Sequence, residues 1–283
     1  IPIIDTSLEE KQDEKLLNKY KLEKELLNTN DLKNSTNEYN YLYPDLNDPN
    51  FNIKLSERKE FYDTKYDGVK KPVEKQAEIL CNADFELAPH QMFVRNFLSF
   101  QTPYNSLLLY HGLGTGKTCS AISVGEEMRD YLIQMGIAQR ILVVASPNVQ
   151  ENFKLQLFDE RKLKLVDGLW NLRACTGNKF LKEINPTNMK GLTKEKVISQ
   201  IKRIINNSYL FLGYVEFANY IFKKSKVDSE LSNKKKEILI KQKLKKHFNN
   251  RLIIIDEVHN IRMTDDNKNK RIAMELLKLV KNV

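Results

Sequence analysis

The apolar positions of the chain follow two rhythms. Unbroken apolar runs at 106–110 (Ser-Leu-Leu-Leu-Tyr), 140–145 (Arg-Ile-Leu-Val-Val-Ala), 209–214 (Tyr-Leu-Phe-Leu-Gly-Tyr) and 251–255 (Arg-Leu-Ile-Ile-Ile) each end near a polar or glycine turn. Short continuous runs predict strands covered on both faces, as a parallel sheet requires. The four aliphatics Leu252, Ile253, Ile254 and Ile255 predict a fully buried one. Between the runs, apolar residues return at helical spacing. Ala121, Ile122, Val124, Met128 and Leu132 predict a helix to about Met135, and similar patterns predict helices over 92–100, 149–158, 193–207, 217–222 and 270–280. Strand and helix in alternation give an α/β fold, a mostly parallel sheet with helices on both faces.

The first 83 residues break this rhythm, being poor in glycine and rich in Asn, Lys and Glu. Thr6-Ser7 with Glu9 or Glu10 can form a capping box, and Leu16, Leu17, Tyr20, Leu26 and Leu27 predict a loosely amphipathic helix to about Asn28. The stretch 30–52, with Pro44 and Pro49, reads as irregular chain in which Tyr39, Tyr41, Tyr43 and Phe51 anchor it to a neighbouring surface; stacking on bases is the alternative. Further helices are expected near 56–62 and 72–80. The expected organisation is a partly helical N-terminal extension, 1–83, and an α/β domain, 84–283. Within the latter, 161–206 is the least readable stretch, closed by the helix over 193–207.

Composition adds little constraint. Of 283 residues, 41% are hydrophobic, enough for a real core, and the net charge of +9 suits a polyanionic partner. Between 223 and 246 there are ten lysines against Asp228, Glu230 and Glu237, while Ile240, Leu244 and Phe248 give one apolar face. Solvated surface lysines and contact with a phosphate backbone both fit this segment. Cys81, Cys119 and Cys175 are far apart, so neither a zinc site nor a disulfide framework is expected, and the setting should be intracellular and reducing. No apolar run approaches the roughly 18 residues of a membrane span, so no membrane partner is expected. A chain starting at Ile1 reads as part of a longer protein.

The candidate chemistry lies where the runs end. After 106–110 comes His111-Gly112-Leu113-Gly114-Thr115-Gly116-Lys117-Thr118, the strand, loop and helix order of a phosphate-binding loop. The glycines at 112, 114 and 116 free the backbone so that successive N–H groups, with Thr115, can surround phosphate oxygens, and the following helix aims its N-terminal dipole at the same anion. Lys117 would reach the β- and γ-phosphates and Thr118 would complete a Mg²⁺ shell, which makes ATP with Mg²⁺ the expected ligand. The strict motif has glycine where this chain has His111.

Asp256-Glu257-Val258-His259 ends the run at 251–255, about 140 residues beyond the loop, where open α/β sheets bind ligands. Asp256 can hold the metal through water and Glu257 can take the proton of the attacking water. Gln91, after Pro89 and about 25 residues before the loop, could present its amide to adenine or simply start a helix in solvent. Ser146-Pro147-Asn148 ends the second run and could meet a nucleic-acid phosphate; polar turns also occur without such a role.

Taken together, HGLGTGKT and DEVH, with Gln91 upstream and ASPN between them, resemble the first RecA-like domain of a superfamily 2 helicase of the DExH type, over roughly 84–283. Helicases use the looser loop form that His111 fits. The strings YPDLNDPNF, FELAPHQMFVRNFLSFQTPYNSLLLYHGLGTGKTCSAI and VVASPNVQENFKLQLFD look more specifically like the helicase-type ATPases of nucleocytoplasmic large DNA viruses, the group of poxvirus early transcription factor and nucleoside triphosphate phosphohydrolase I. The resemblance implies that Gln91 reads adenine, that 112–118 hold the triphosphate, and that Ser146, Pro147 and Asn148, with Gly213 and Tyr214, touch a nucleic-acid backbone. It implies that His259 couples the ATP site to a domain interface or bound strand. It also implies DNA in preference to RNA, a second RecA-like domain supplying arginines, viral transcription machinery as partner, and a host-cytoplasmic or virion location. Residues 1–283 alone should then hydrolyse ATP poorly. A duplex translocase without strand separation and a degenerate ATP-sensing scaffold are the competing functions.

Overall fold

The computed structural model describes residues 42–66, 68–69, 72, 74, 86–112, 114–227, 232–262 and 267–282. The helix expected to Asn28, most of the one near 72–80, Tyr39, Tyr41, Cys81 and Leu113 lie outside them. Three parallel strands, β1 (Ile141–Val144), β4 (Tyr209–Leu212) and β5 (Ile253–Ile255), form a sheet of order β4-β1-β5. β1 sits in the middle and its four side chains are fully buried. Alternation of side chains along β1 sends Ile141 and Val143 to one face and Leu142 and Val144 to the other.

Each face is covered by helices, as the sequence predicts. On the first lie α4 (Lys117–Gln134), α5 (Pro147–Leu157) and α7 (Lys194–Ser208), whose Ile122, Phe153, Leu157 and Ile201 pack around Ile141 and Val143. The second carries α8 (Tyr214–Ser225), α9 (Asn233–Phe248) and α10 (Asn267–Asn282), whose Phe217, Leu244 and Ile272 surround Leu142 and Val144. Nearly every strand-adjacent contact is aliphatic or aromatic, so burial drives the layering.

Two expectations fail together. The run 106–110 is irregular chain outside any ladder among the described residues, with Leu108 71% and Tyr110 94% exposed. A strand is made by pairing, and among the described residues this run has apolar composition but no backbone partner. In consequence β5 is an edge strand of three half-buried residues rather than a fully buried one.

α4 is fixed by a buried ion network. Arg129, 3% exposed, bonds Glu126 and Glu183, and the buried Tyr209 hydroxyl donates to Glu126 Oε1 at 2.7 Å. Burial alone would weaken the Arg129 charge, but Glu183 and Glu126 outweigh it and hold the guanidinium above its ordinary pKa. Burial and then Glu126 push the Tyr209 phenol well up, so it stays a donor. A side chain at Gly125 would crowd that hydroxyl, with Cβ 3.0 Å away.

The segment 42–66 contributes α1 (Phe51–Ser56) and α2 (Lys59–Tyr62), which the sequence reads as one helix over 56–62. Tyr43, Phe51, Leu55 and Phe61 pack with Phe97 and Tyr104, and Tyr104 donates to the Pro44 carbonyl at 2.7 Å. The anchoring expectation therefore holds for Tyr43 and Phe51. In 161–192 the chain makes a hairpin, β2 (Leu163–Val166) and β3 (Leu169–Leu172), turned by Asp167 and Gly168, both at positive φ. The short α6 (Lys179–Ile184) follows. Cys119 and Cys175, 56 residues apart, form a disulfide with Cα atoms 5.3 Å apart, which corrects the expectation of unpaired thiols. Linear spacing hid the pair because α4 and the segment after β3 meet only through the fold. No helix among the described residues is long and apolar enough to cross a membrane.

Candidate functional site

α3 (Pro89–Phe97) opens with proline in its first turn after Ala88 in extended conformation. This start aims two side chains at the loop 111–118. Gln91, 8% exposed, accepts from the Ala88 N–H through Oε1 (2.9 Å) and donates from Nε2 to the Gly116 carbonyl (3.2 Å). His90 Nε2 is 2.8 Å from the Thr115 carbonyl, which can only accept, so Nε2 carries the hydrogen. In the neutral ring Nδ1 then accepts from the Tyr66 hydroxyl, 2.7 Å away. Thus Tyr66, His90 and Gln91 hold the loop from outside.

The loop supplies its own closure. Lys117 Nζ donates to the His111 and Gly112 carbonyls (2.9 and 3.2 Å), and Thr115 Oγ1 to the Gly112 carbonyl (3.0 Å). Gly114 and Gly116 have φ of 79° and 75°, a region side-chained residues rarely adopt. At Gly116 a Cβ would also overlap the Gln91 amide, so that position excludes a side chain twice over. Gly116 is the N-cap of the 18-residue α4, and its glycine turn points the helix N-terminus, with Lys117 and Thr118, at the loop.

A second group lies where the parallel strands end. Because β1, β4 and β5 run the same way, Ser146, Gly213 and Asp256 emerge on one edge of the sheet. The ladder continues one residue past β5, the Asp256 N–H donating to the Val144 carbonyl at 3.0 Å. Asp256 Oδ1 accepts from the Glu257 N–H (3.0 Å), and Glu257 turns into the left-handed region at φ 49°. A non-glycine residue there is strained, and such strain gathers at functional sites. The Tyr214 hydroxyl donates to the Asp256 carbonyl (2.9 Å) and accepts from Asn260 Nδ2 (3.2 Å). Glu257 Oε2 and His259 Nδ1 are 3.2 Å apart, both exposed.

The chain is 28% identical over 221 residues to a protein of Acanthamoeba polyphaga mimivirus named an ATP-dependent RNA helicase, covering 77% of the chain and 31% of that protein. Proteins named helicases in Invertebrate iridescent virus 3 and Frog virus 3 are 25% and 24% identical over 201 and 173 residues, covering 69% and 61% of the chain and 17% and 15% of their own lengths. All three names are themselves inferred. The chain is thus similar to several proteins named helicases in nucleocytoplasmic large DNA viruses. It spans about a third or less of the length of these relatives. No family model and no solved structure matches it.

Within the chain, most of the residues expected at the site fall in two clusters. Gly112, Gly114, Thr115, Gly116, Lys117 and Thr118 form the loop with Gln91, while Leu113 lies outside the described residues. Ser146, Pro147, Asn148, Gly213, Tyr214, Asp256, Glu257 and His259 lie on or next to one sheet edge. No hydrogen bond or ion pair joins the loop to Asp256 or Glu257 among the described residues. Gln91 is buried rather than solvent-facing, and its amide serves the loop backbone, which leaves one hydrogen and one lone pair for a base. The side chain of Ser146 caps nothing. The residues that sequence reasoning missed are Tyr66, His90 and Asn260, each held by bonds between segments distant in the chain. Among the described residues there is no cluster of three or more His, Cys, Asp or Glu that would cage a metal.

Proposed function

We propose that this chain is the ATP-binding part of a nucleic-acid-dependent ATPase that couples hydrolysis to movement on, or remodelling of, DNA or RNA during viral transcription. The observation that carries the reading is the loop 111–118, wound through two left-handed glycines into the head of an 18-residue helix and held by Lys117 and Gln91. That is a cradle for a triphosphate tail. Lys117 would exchange its carbonyl partners for β- and γ-phosphate oxygens. Thr118 and, through water, Asp256 would hold Mg²⁺, which fits a hard ion taken with phosphate oxygens rather than in a protein cage. Magnesium, when bound, would supply charge neutralisation at the β- and γ-oxygens. Glu257 would accept the proton of the attacking water. The turns at 146–148 and 213–214 would lie along the nucleic acid, with DNA favoured. An arginine from a second RecA-like domain would complete the charge balance, so residues 1–283 alone would turn over slowly.

The test is ATP hydrolysis by the full-length protein with no polymer and with single- or double-stranded DNA or RNA. Stimulation by one polymer is expected, and Glu257→Gln should lower the stimulated rate by about 10²- to 10⁴-fold with ATP affinity kept. No stimulation by any polymer, or an unchanged rate in Glu257→Gln, overturns the reading. Stimulation by duplex without strand separation selects translocation over unwinding.

A further inference from the structure

The opposite edge of the sheet has a different character. Arg251 lies just before β5 and donates from Nε to the carbonyl of Arg140, just before β1, at 2.7 Å. Its Nη1 donates to the Tyr220 hydroxyl (2.9 Å) and the His247 carbonyl (3.3 Å). Arg251 therefore spends these donors on neutral acceptors, and among the described residues it makes no ion pair. Since α8 meets Asp256 through Tyr214 and Arg251 through Tyr220, it crosses the sheet from the Asp256 edge to this one. Lys223, Lys224 and Lys226 follow at its end, and Lys245, Lys246 and His247 close α9 beside it.

Lys224 Nζ and the Arg251 guanidinium each lie 5.6 Å from the Tyr220 ring centre. None of Lys223, Lys224, Lys245 and Lys246 takes part in an ion pair among the described residues. Burial first, and then Lys224, Lys246, Arg251 and Lys243, hold the His247 imidazole below its ordinary pKa. α9 is about 24 Å long and carries further lysines at 234, 235, 236 and 241. Its large apolar residues are turned to the core, none being exposed, so it lacks the apolar face of a helix that sinks into lipid. Positive charge spread along a rod suits a repeating polyanion better than a small anion.

We propose that this edge, centred on Lys223, Lys224, Lys245, Lys246 and Arg251, is a second nucleic-acid-binding surface, gripping a sugar-phosphate backbone on the side of the sheet away from Asp256. The choice of polymer class rests on the proposed function; the surface itself does not. It would hold the nucleic acid independently of the nucleotide and without reading sequence.

The experiment measures binding of the full-length protein, without nucleotide, to single- and double-stranded DNA and RNA oligonucleotides by fluorescence anisotropy across about 50 to 200 mM salt. The Lys223→Glu/Lys224→Glu/Lys245→Glu/Lys246→Glu variant should lose about tenfold or more in affinity and should flatten the salt dependence by about three to four in log–log slope. Its polymer-free ATP hydrolysis should be unchanged, which also shows that it folds. The exposed pair Lys245→Ala/Lys246→Ala gives a second reading, a slope change of about two. Unchanged affinity and slope for every oligonucleotide overturn the proposal, as does loss of binding to anionic vesicles with oligonucleotide binding intact. Because the readout is binding, a protein whose ATPase ignores nucleic acid could still bear the surface out.

Discussion

The two halves of the candidate site are built by opposite means. Asp256 is the next rung of a sheet ladder, its N–H on Val144, so its backbone position follows from β1 and β5. The loop 111–118 has no ladder on either side and is held by side chains, His90 and Gln91 from α3 and its own Lys117. A ladder is fixed by many equivalent bonds and tolerates the loss of one. A loop held by three or four individual side chains has few substitutes for each, and its shape should be far more sensitive to single changes.

Gly116→Ala is expected to have the largest effect. Left-handed backbone costs an alanine about 1–2 kcal/mol, and the methyl would displace Gln91, leaving the Ala88 N–H and the Gly116 carbonyl short of a partner at a further cost of about 1–3 kcal/mol. Calorimetric titration with ATP should show affinity falling by a factor on the order of 30 or more. Gly112→Ala is the contrast, since its φ is not left-handed and nothing lies within 4 Å of an added Cβ. It should stay within about 0.5 kcal/mol of the native protein in denaturant unfolding. Equal losses from the two would dissolve the distinction between held and free parts of the loop.

Periodicity carried much of the fold because burial on two faces leaves a direct trace in sequence. Leu142 and Val144 against Ile141 and Val143, and the helices over 117–134 and 194–208, needed only local pattern. The local geometry of 112–118 and the strand-end place of 256–257 were legible for a related reason, since left-handed glycines and strand-end carboxylates are local devices. What was not legible depends on distance in the chain. Nothing in 106–110 says that its ladder partner is missing, and nothing near Cys119 announces Cys175. Tyr66, His90 and the loop meet only through tertiary contact. The β2–β3 hairpin is different. Asp167-Gly168 between apolar runs is a recognised turn signal and could have been read.

Gln91 tests how the loop is held. Gln91→Ala removes two bonds from buried backbone groups and should cost about 1–3 kcal/mol in loop stability, seen as weaker nucleotide binding. The sharper question is which nucleotides suffer. If the amide acts through Gly116, ATP and GTP affinities should fall by the same factor; a base-reading amide would penalise ATP alone. Gln91→Glu keeps the acceptor for Ala88 but sets a carboxylate oxygen against the Gly116 carbonyl, so it should bind every nucleotide at least as poorly as alanine does.

Tyr214→Phe probes the other half and should do less than Gln91→Ala. It deletes the hydroxyl that donates to the Asp256 carbonyl and accepts from Asn260, at a cost of about 1 kcal/mol, while the bond from Asp256 to Val144 still holds the strand end in register. The ring remains to pack against the core cluster of Leu142, Val144 and Phe217. What is lost is orientation of the turn that carries Glu257 in its strained conformation. A group that positions the base without touching the triphosphate should alter turnover and spare binding. Steady-state hydrolysis by the full-length protein should therefore show kcat reduced by about threefold to tenfold, with ATP affinity unchanged. A drop in affinity matching that of Gln91→Ala would mean that loop and turn are one cooperative unit, despite the absence of a direct bond between them.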